Sequence, residues 1–282
     1  MNAALQSTRF KMASASVVLA LLRLVGVRPL RTIVRKGITY AVDLREGIDM
    51  NLFLFGSYQS HVVRTVCGRL AQDPVIIDVG ANIGAISLAL SAQKPDSTIY
   101  AFEPTGHAYN KLLRNVELNG FESRITPIQS FVSAVSSSES ALSAYSSWRL
   151  DRVDDARHPI HMGISKEATT TQTSIDDFMR DRNVTKLDLI KIDTDGHELD
   201  VLKGATRTLE SMRPLLIFEL TTYLLASQGI DFSEYEALLA PFDYRLVESQ
   251  SGRSVTSSNV HDVVPSGGGI DVLAIPPGTD PR

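Results

Sequence analysis

The chain has 282 residues, of which 43% are hydrophobic and 21% charged, with 12 Pro and 18 Gly. This composition is typical of a globular domain and excludes collagen-like, disordered-tail and disulfide-scaffold proteins. The length allows one large α/β domain with an additional segment. Because Cys67 is the single cysteine, no internal disulfide can form, which favours a reducing compartment. We therefore expect a cytoplasmic protein.

The formal net charge of -4 conceals an uneven distribution of charge along the chain. Residues 1–36 contain seven basic residues and no acidic one, whereas the rest of the chain contains 21 basic and 32 acidic residues. We therefore divide the chain into a basic N-terminal helical arm, residues 1–37, and a main domain, residues 38–282. Affinity for a phosphate backbone depends on clustered Lys and Arg, so the acidic main domain argues against a nucleic-acid partner.

The arm contains the one long apolar run of the sequence, residues 12–30. A membrane-spanning helix needs about 20 largely uncharged residues. Arg23 and Arg28 interrupt the run, so we predict no transmembrane span. Three interpretations stay open: an amphipathic helix packed on the main domain, an organellar transit peptide, and a helix on an anionic membrane surface. We favour the first.

Strand-like and helix-like segments alternate through roughly 200 residues of the main domain. The predicted strands are residues 38–44, 75–79, 99–103, 125–132, 187–193, 215–220, 244–248 and 270–275. The predicted helices are residues 49–71, 84–93, a segment that Thr105 caps and Gly120 ends, 198–211, and 233–239, which a Ser233–Glu236 capping box opens. A Ser-rich, polar excursion, residues 133–173, interrupts this order. The alternation predicts an α/β fold with a doubly wound sheet and helices on both faces.

A glycine-containing turn joins the strand 75–79 to the helix that follows it. Asp78, Gly80, Asn82 and Gly84 lie in this turn. Glycines let the backbone approach a ligand closely, and a helix N-terminus offers free N–H groups, so these residues are candidates for cofactor binding. A tight strand-to-helix turn without a ligand is the structural alternative.

Glu103 ends the next predicted strand, 19 residues after Gly84. The carboxyl ends of neighbouring strands in a doubly wound sheet share one crevice, so Glu103 is expected to face the glycine turn across it. A carboxylate in that position can accept both hydroxyls of a ribose. The pair of features therefore predicts a nucleoside ligand.

At these motifs the sequence resembles the FkbM family of S-adenosylmethionine-dependent methyltransferases. The resemblance rests on residues 77–84, 101–104 and 189–205, and it extends over about residues 38–275. It implies a Rossmann-like methyltransferase fold in which S-adenosyl-L-methionine places its methionine moiety at residues 78–84 and its ribose on Glu103. It also implies O-methylation of a hydroxyl on a small molecule, a sugar or a glycoconjugate.

Two positions depart from the usual pattern of this family. Asp195 stands where Glu is usual, and His197 stands where a small or neutral residue is more common. The shorter side chain of Asp195 puts any contact through that position in doubt. His197 is either an addition to the site or a solvent-facing helix residue.

The third motif supplies the candidate catalytic residues Asp193, His197 and Glu198. Asp193 ends a buried strand and faces the crevice, and Asp193 or His197 is expected to accept or orient the proton of the acceptor hydroxyl. Asp195 and Glu198 also have the spacing of a helix N-cap and its N3 partner, so capping is the alternative for both. Further candidates for the crevice are Glu219, His158 and His161.

A metal is not required by this interpretation. The third motif begins like a calcium-binding loop, but Gly196 comes too early and the distal Glu is missing. A divalent ion held by the acidic residues and His197 stays an alternative.

Two other classes of function share parts of this pattern. A nicotinamide-dependent oxidoreductase would use the same crevice, but its G-x-G-x-x-G fingerprint requires a glycine at Asn82. A non-catalytic nucleoside-binding module would keep Asp78 and Glu103 without needing Asp193. The acceptor itself is not encoded in any pattern that we can interpret, and neither is the oligomeric state.

Overall fold

The computed structural model describes residues 15–145 and 165–279. The strands are β1 (Leu30–Arg35), β2 (Ile38–Asp43), β3 (Val75–Val79), β4 (Thr98–Phe102), β5 (Ile125–Ile128), β6 (Ser130–Val132), β7 (Ser137–Tyr145), β8 (Ser165–Thr173), β9 (Leu189–Ile192), β10 (Leu215–Leu220), β11 (Arg245–Glu248) and β12 (Ile270–Ile275). The helices are α1, which includes residues 15–24, α2 (Gly47–Phe55), α3 (Ser60–Cys67), α4 (Ala85–Gln93), α5 (Gly106–Leu118), α6 (Ile175–Asp181), α7 (Glu198–Lys203), α8 (Thr206–Met212), α9 (Thr222–Gln228), α10 (Phe232–Leu239) and α11 (Val260–Val263).

A seven-stranded sheet in the order β11-β12-β10-β9-β3-β4-β5 forms the centre of the molecule. The strands from β10 to β5 are parallel, and β12 runs antiparallel to both of its neighbours. Successive side chains of a strand point to opposite faces, so each strand contributes to two cores. One core packs β3 and β9 against α3, α4 and α5, and the other packs them against α6 to α10. The predicted α/β sheet with helices on both faces is confirmed.

A two-stranded antiparallel ribbon, β1 and β2, precedes this sheet. Asn115 and Asn119 of α5 accept hydrogen bonds from the backbone N–H groups of Ala41 and Thr39, at 2.7 Å and 2.8 Å. These amides satisfy part of the free edge of β2, which docks the ribbon on α5. Residues 30–35 therefore form a strand, although they fall within the predicted helical arm.

Several local predictions were wrong in detail because a glycine interrupts a continuous helical pattern. The predicted helix 49–71 is two helices, α2 and α3, since Gly56 takes φ of 72° at the end of α2. The predicted helix 198–211 is likewise α7 and α8, separated at Gly204. A Cβ on Gly204 would lie 2.2 Å from the carbonyl oxygen of Ser133.

Two predicted helix caps differ from the structure, one in its position and one in its hydrogen bonding. The N-cap of helix α10 lies two residues earlier than expected, with a capping box between Asp231 and Glu234 in place of Ser233 and Glu236. Thr105 holds the N-cap position of α5, but its hydroxyl makes no capping bond. That hydroxyl donates instead to Glu103, at 2.5 Å.

The excursion forms part of a separate three-stranded sheet in the order β6-β8-β7. His158 and His161 lie outside the described residues. Within residues 15–145 and 165–279, no helix is long and apolar enough to cross a membrane.

Candidate active site

A cleft opens at the carboxyl ends of β3, β4 and β9, where the sequence placed the crevice. Its apolar wall includes Phe102, Phe131 and Val132. Its polar groups include Gly80 and Asn82 of the glycine turn, Glu103 after β4, and Asp193, Asp195 and His197 after β9. Of the eight predicted site residues, Gly80, Asn82, Glu103, Asp193 and His197 line this cleft. Asp78, Gly84 and Glu198 lie behind its lining.

Two glycines of the turn could not be replaced without strain, because neighbouring atoms lie too close for a Cβ and because their φ values are positive. Gly80 has φ of 74°, and a Cβ there would lie 1.9 Å from the carbonyl oxygen of Asp193. Gly84 has φ of 83°, and a Cβ there would lie 2.5 Å from a methyl carbon of Leu112. Both φ values are in the left-handed region that side chains disfavour. Gly80 thus lets β3 and β9 meet at the cleft, whereas Gly84 lets α4 pack on α5.

Glu103 ties the end of β4 to the glycine turn. Its Oε2 accepts a hydrogen bond from the backbone N–H of Asn82, at 3.0 Å. Its Oε1 accepts from the N–H and the hydroxyl of Thr105, at 2.9 Å and 2.5 Å. The side chain is almost fully buried, and this burial raises the pKa of Glu103 although the hydrogen bonds oppose the rise. The carboxylate is therefore fixed in position at the cleft wall.

Asp78 is completely buried and is held beneath the cleft by two partners. Ser87 donates a hydrogen bond to its Oδ2, at 2.5 Å, and the Nζ of Lys191 lies 3.0 Å from its Oδ1. Lys191 also donates to the carbonyl oxygen of Gly80, at 3.0 Å. Asp78 thereby supports the glycine turn from below, and its predicted contact with a cofactor stays a prediction.

Lys191 is a buried residue beneath the cleft that the sequence reasoning missed. Burial acts to lower its pKa, but Asp78 and Asp193 outweigh this effect, and the pKa of Lys191 is raised. The Nζ lies 3.9 Å from Oδ2 of Asp193. A lysine inside an apolar strand is rarely buried without a carboxylate partner. That rule was the signal available in the sequence, because Asp78 and Lys191 are neighbours on adjacent strands.

The loop from Asp193 to Glu198 is organised by the Glu198 side chain. Its Oε1 accepts hydrogen bonds from the N–H of Thr194, the hydroxyl of Thr194 and the N–H of Gly196, at 3.0–3.1 Å. The predicted capping pair of Asp195 and Glu198 is not formed, because α7 begins at Glu198 with His197 at the N-cap. Glu198 therefore shapes the loop from within.

Asp195 and His197 project from this loop into the cleft. Asp195 has φ of 55°, and burial together with the nearby Asp193 and Glu198 raises its pKa to about 7. His197 stacks edge-to-face on Phe131, with 5.2 Å between ring centres. The imidazole is thus fixed against the apolar wall, within the same cleft as Glu103.

A second group of polar residues adjoins Asp193 on the side of β10 and β12. Gln59 at the start of α3 donates from Nε2 to Oδ2 of Asp193, at 3.2 Å. Glu219 and Asp271 are cross-strand partners on β10 and β12, and His61 Nε2 lies 2.5 Å from Oδ2 of Asp271. Sequence reasoning had named Glu219 and had missed the other three. Gln59 and Asp193 are 134 positions apart, so no local pattern connects them.

Burial and mutual repulsion raise the pKa values of the two carboxylates in this second group. Burial first, and then Asp193, Asp195, Glu198 and Asp271, raise the pKa of Glu219 well above its ordinary value. Burial also raises the pKa of Asp271, although His61 opposes the rise. In the described part of the chain, no group of three or more His, Cys, Asp or Glu side chains has the arrangement of a metal site.

Comparison with known proteins assigns the family. The family model of the methyltransferase FkbM domain matches residues 78–246, which is more than half of the chain. The chain belongs to the FkbM methyltransferase family. The matched segment begins at Asp78 and includes Glu103 and the loop from Asp193 to Glu198. As a methyltransferase, the protein is neither of the two alternatives raised by the sequence, an oxidoreductase or a non-catalytic module.

Two relatives of this FkbM methyltransferase are also named as methyltransferases. Methyltransferase sdnD of Sordaria araneosa is 24% identical over 215 residues, which covers 64% of this chain and 83% of that protein. The hexuronic acid methyltransferase AglP of Haloferax volcanii is 28% identical over 160 residues, which covers 56% of this chain and 61% of that protein. A solved structure of methyltransferase FkbM from Methylobacillus flagellatus has a TM-score of 0.47 and 21% identity, covering 73% of this chain and 44% of that one.

Proposed function

We propose that the protein transfers a methyl group from S-adenosyl-L-methionine to a hydroxyl of a small molecule, a sugar or a glycoconjugate. The observation that carries this proposal is the pair of carboxylates in one cleft. Glu103, after β4, and Asp193, on the loop after β9, both line this cleft, and we assign the ribose to Glu103. The family supports methyl transfer, and the two carboxylates support this donor and this type of acceptor.

The residues of the cleft fit the proposed cofactor. An ionised carboxylate offers about four acceptor positions, and Glu103 uses three of them for Asn82 and Thr105. It retains capacity for a ribose hydroxyl, for which a fixed anionic acceptor is well suited. Phe102, Phe131 and Val132 supply the apolar surface that a purine needs. The backbone approach at Gly80 leaves no room for a side chain between β3 and β9.

The cofactor would supply an electrophilic methyl group on a sulfonium. The chain has to align the acceptor oxygen with that group and to remove its proton. Asp193 is suited to both tasks because Gln59 and Lys191 fix its carboxylate from one side at 3.2 Å and 3.9 Å. His197, fixed against Phe131, is the second candidate for holding the proton.

The proposed acceptor class is consistent with one relative. AglP is named as a hexuronic acid methyltransferase, and a sugar presents several hydroxyls that polar side chains can bind. The group formed by Gln59, His61, Glu219 and Asp271 adjoins Asp193 and offers such donors and acceptors. We therefore place the acceptor on this side of the cleft.

The proposal is tested by isolating the product of methyl transfer. Purified protein is incubated with methyl-labelled S-adenosyl-L-methionine and extracts of cells that lack the protein, and metabolites that gain a CH2 mass are identified. A hydroxyl acceptor yields an ether that survives alkali, whereas a carboxyl acceptor yields an ester that alkali releases as methanol. Calorimetry without any acceptor measures binding of the cofactor alone. Absence of binding would contradict the donor, and an alkali-labile product would contradict the hydroxyl.

The role of Asp193 is tested separately. Asp193→Asn should retain affinity for the cofactor but lose most turnover, because the amide cannot accept the hydroxyl proton. His197→Gln should then retain turnover with an altered pH profile if His197 only assists. The reverse result, with Asp193→Asn active and His197→Gln inactive, would move the proton-accepting role to His197.

A further inference from the structure

Helix α1 is apolar on two faces, and packing accounts for one of them. Leu19 is 3% exposed, and Val18 and Leu22 pack beside it against the core. On the opposite side Leu21 and Leu24 are 57% and 82% exposed. A helix on the surface of a globular protein normally turns a polar face to water. The outward face of α1 therefore requires a different explanation.

Exposed apolar side chains recur in the elements that follow α1 along the chain. Leu30 and Val34 of β1 are 66% and 60% exposed, and Phe55 at the end of α2 is 72% exposed. Strand β1 and α2 are in contact, since Arg35 of β1 donates to the carbonyl oxygens of Leu52 and Phe53. In the described part of the chain, eight of the ten large exposed hydrophobic residues lie between positions 17 and 55. Such a concentration distinguishes this surface from ordinary scattered exposure.

The same surface is uniformly basic. Among residues 15–42 the five charged residues are all basic, and the first acidic residue of the chain is Asp43. Arg28, Arg31 and Lys36 are exposed. An amphipathic helix with leucines on one side and flanking Arg and Lys is the chemistry that binds the headgroups and upper acyl chains of anionic lipids.

We propose that α1, β1 and the end of α2 form a surface that binds anionic lipid membranes. The helix would lie in the plane of the membrane with Leu21 and Leu24 in the acyl region, while the basic residues contact the headgroups. A second copy of the chain fits less well, because a symmetric dimer brings the same patch of both copies together. Five basic residues of each copy would then face one another with no acidic partner from the same segment.

The test uses the full chain and sedimentation with vesicles. Vesicles of phosphatidylcholine with added phosphatidylglycerol should pellet the protein, and vesicles of phosphatidylcholine alone should pellet it at least about ten-fold less. Raising the salt concentration should reduce binding, because salt screens exposed charges. Equal pelleting by the two kinds of vesicle, or no pelleting by either, would overturn the proposal.

Point variants locate the surface. Leu24→Asp and Phe55→Asp should each weaken binding by about ten-fold or more, because each removes a large apolar group from the lipid contact. Val135→Asp is the matched control, since Val135 is also 65% exposed but lies outside this surface. Arg28→Glu should weaken binding to the anionic vesicles, with the exposed Arg245 of β11 as its control in Arg245→Glu.

Two measurements separate the proposal from its rivals. Circular dichroism and thermal unfolding establish that the exposed-site variants fold like the parent chain. Sedimentation velocity in the absence of lipid reports the oligomeric state. A dimer that Leu24→Asp converts to monomer would assign the surface to a second copy and overturn membrane binding.

Discussion

On the β3–β4 side of the cleft the carboxylate of Glu103 accepts three hydrogen bonds from neighbouring groups, whereas on the β9–β10–β12 side several carboxylates repel one another. The first side is ordered, because two backbone N–H groups and the hydroxyl of Thr105 hold the carboxylate of Glu103 in place. The second side keeps unfavourable charge that a proton or a polar ligand would relieve. We therefore expect the side proposed to bind the cofactor to be rigid, and the side proposed to bind the acceptor to reduce the stability of the free protein.

Lys191 connects the two sides, and its removal should have the largest effect on stability. Lys191→Met leaves the carboxylate of Asp78 buried without its cationic partner, and breaking a buried pair in this way costs about 3–5 kcal/mol. Urea unfolding of the free protein measures the loss. Lys203→Met is the control, because Lys203 is 45% exposed and its ion pairs are at 3.9 Å and 4.0 Å. Equal stability of the two variants would show that Asp78 and Lys191 do not act as a pair.

The close approach of β3 and β9 can be tested at Gly80. Gly80→Ala adds a Cβ that would lie 1.9 Å from a backbone oxygen, in addition to the strain of a positive φ. We expect a loss of about 3 kcal/mol in the free energy of unfolding. Gly120→Ala has a similar φ of 64° but nothing within 4 Å, so it isolates the backbone strain at about 1 kcal/mol. Similar losses for both variants would mean that the loop after β9 moves aside easily.

Glu103 tests whether the ordered side of the cleft is the cofactor side. Glu103→Gln should weaken binding of S-adenosyl-L-methionine by about ten-fold or more, because a charged hydrogen bond to the ribose contributes about 1.5–3 kcal/mol. Calorimetry gives the affinity directly. Glu117→Gln, a change at an exposed position of α5, should leave it unchanged. An unaltered affinity in Glu103→Gln would remove Glu103 from the cofactor site.

The sequence allowed the ordered side of the cleft to be predicted far better than the acceptor side. Gly80, Asn82 and Glu103 lie in short motifs at the ends of consecutive parallel strands, so strand order alone brings them together. Glu219 was predicted for the same reason. Gln59 and His61 lie at the start of α3, outside any motif, and they meet Asp193 and Asp271, which are 134 and 210 positions away. Such contacts follow from packing, which local periodicity does not encode.

The fold shows the same division between local and long-range information. Strands 75–79, 215–220 and 270–275 were predicted with their observed bounds, because each is a short apolar run between clear turn signals. Strand β1 was not predicted, because its residues were assigned to the helical arm. Helices α6 and α9 were not predicted either. Strand β1 is stabilised by its pairing with β2, which the pattern of residues 30–35 does not indicate. Helices α6 and α9 are seven residues long, too short for a helical periodicity to be recognised.

Asp195 tests the repulsion among the carboxylates after β9 through the pH dependence of stability. Its pKa is raised from 3.8 to about 7, so the folded state binds more protons than the unfolded state between these values. The free energy of unfolding of the parent chain should therefore fall as the pH rises through this window. Asp195→Asn removes the effect, so the variant should match the parent near pH 4 and exceed it by up to about 4 kcal/mol above pH 7. Asp181→Asn, at a side chain 65% exposed, should stay within about 0.5 kcal/mol of the parent. Unfolding curves at several pH values decide the matter: a constant offset between Asp195→Asn and the parent would show that the carboxylate is not repelled by its neighbours.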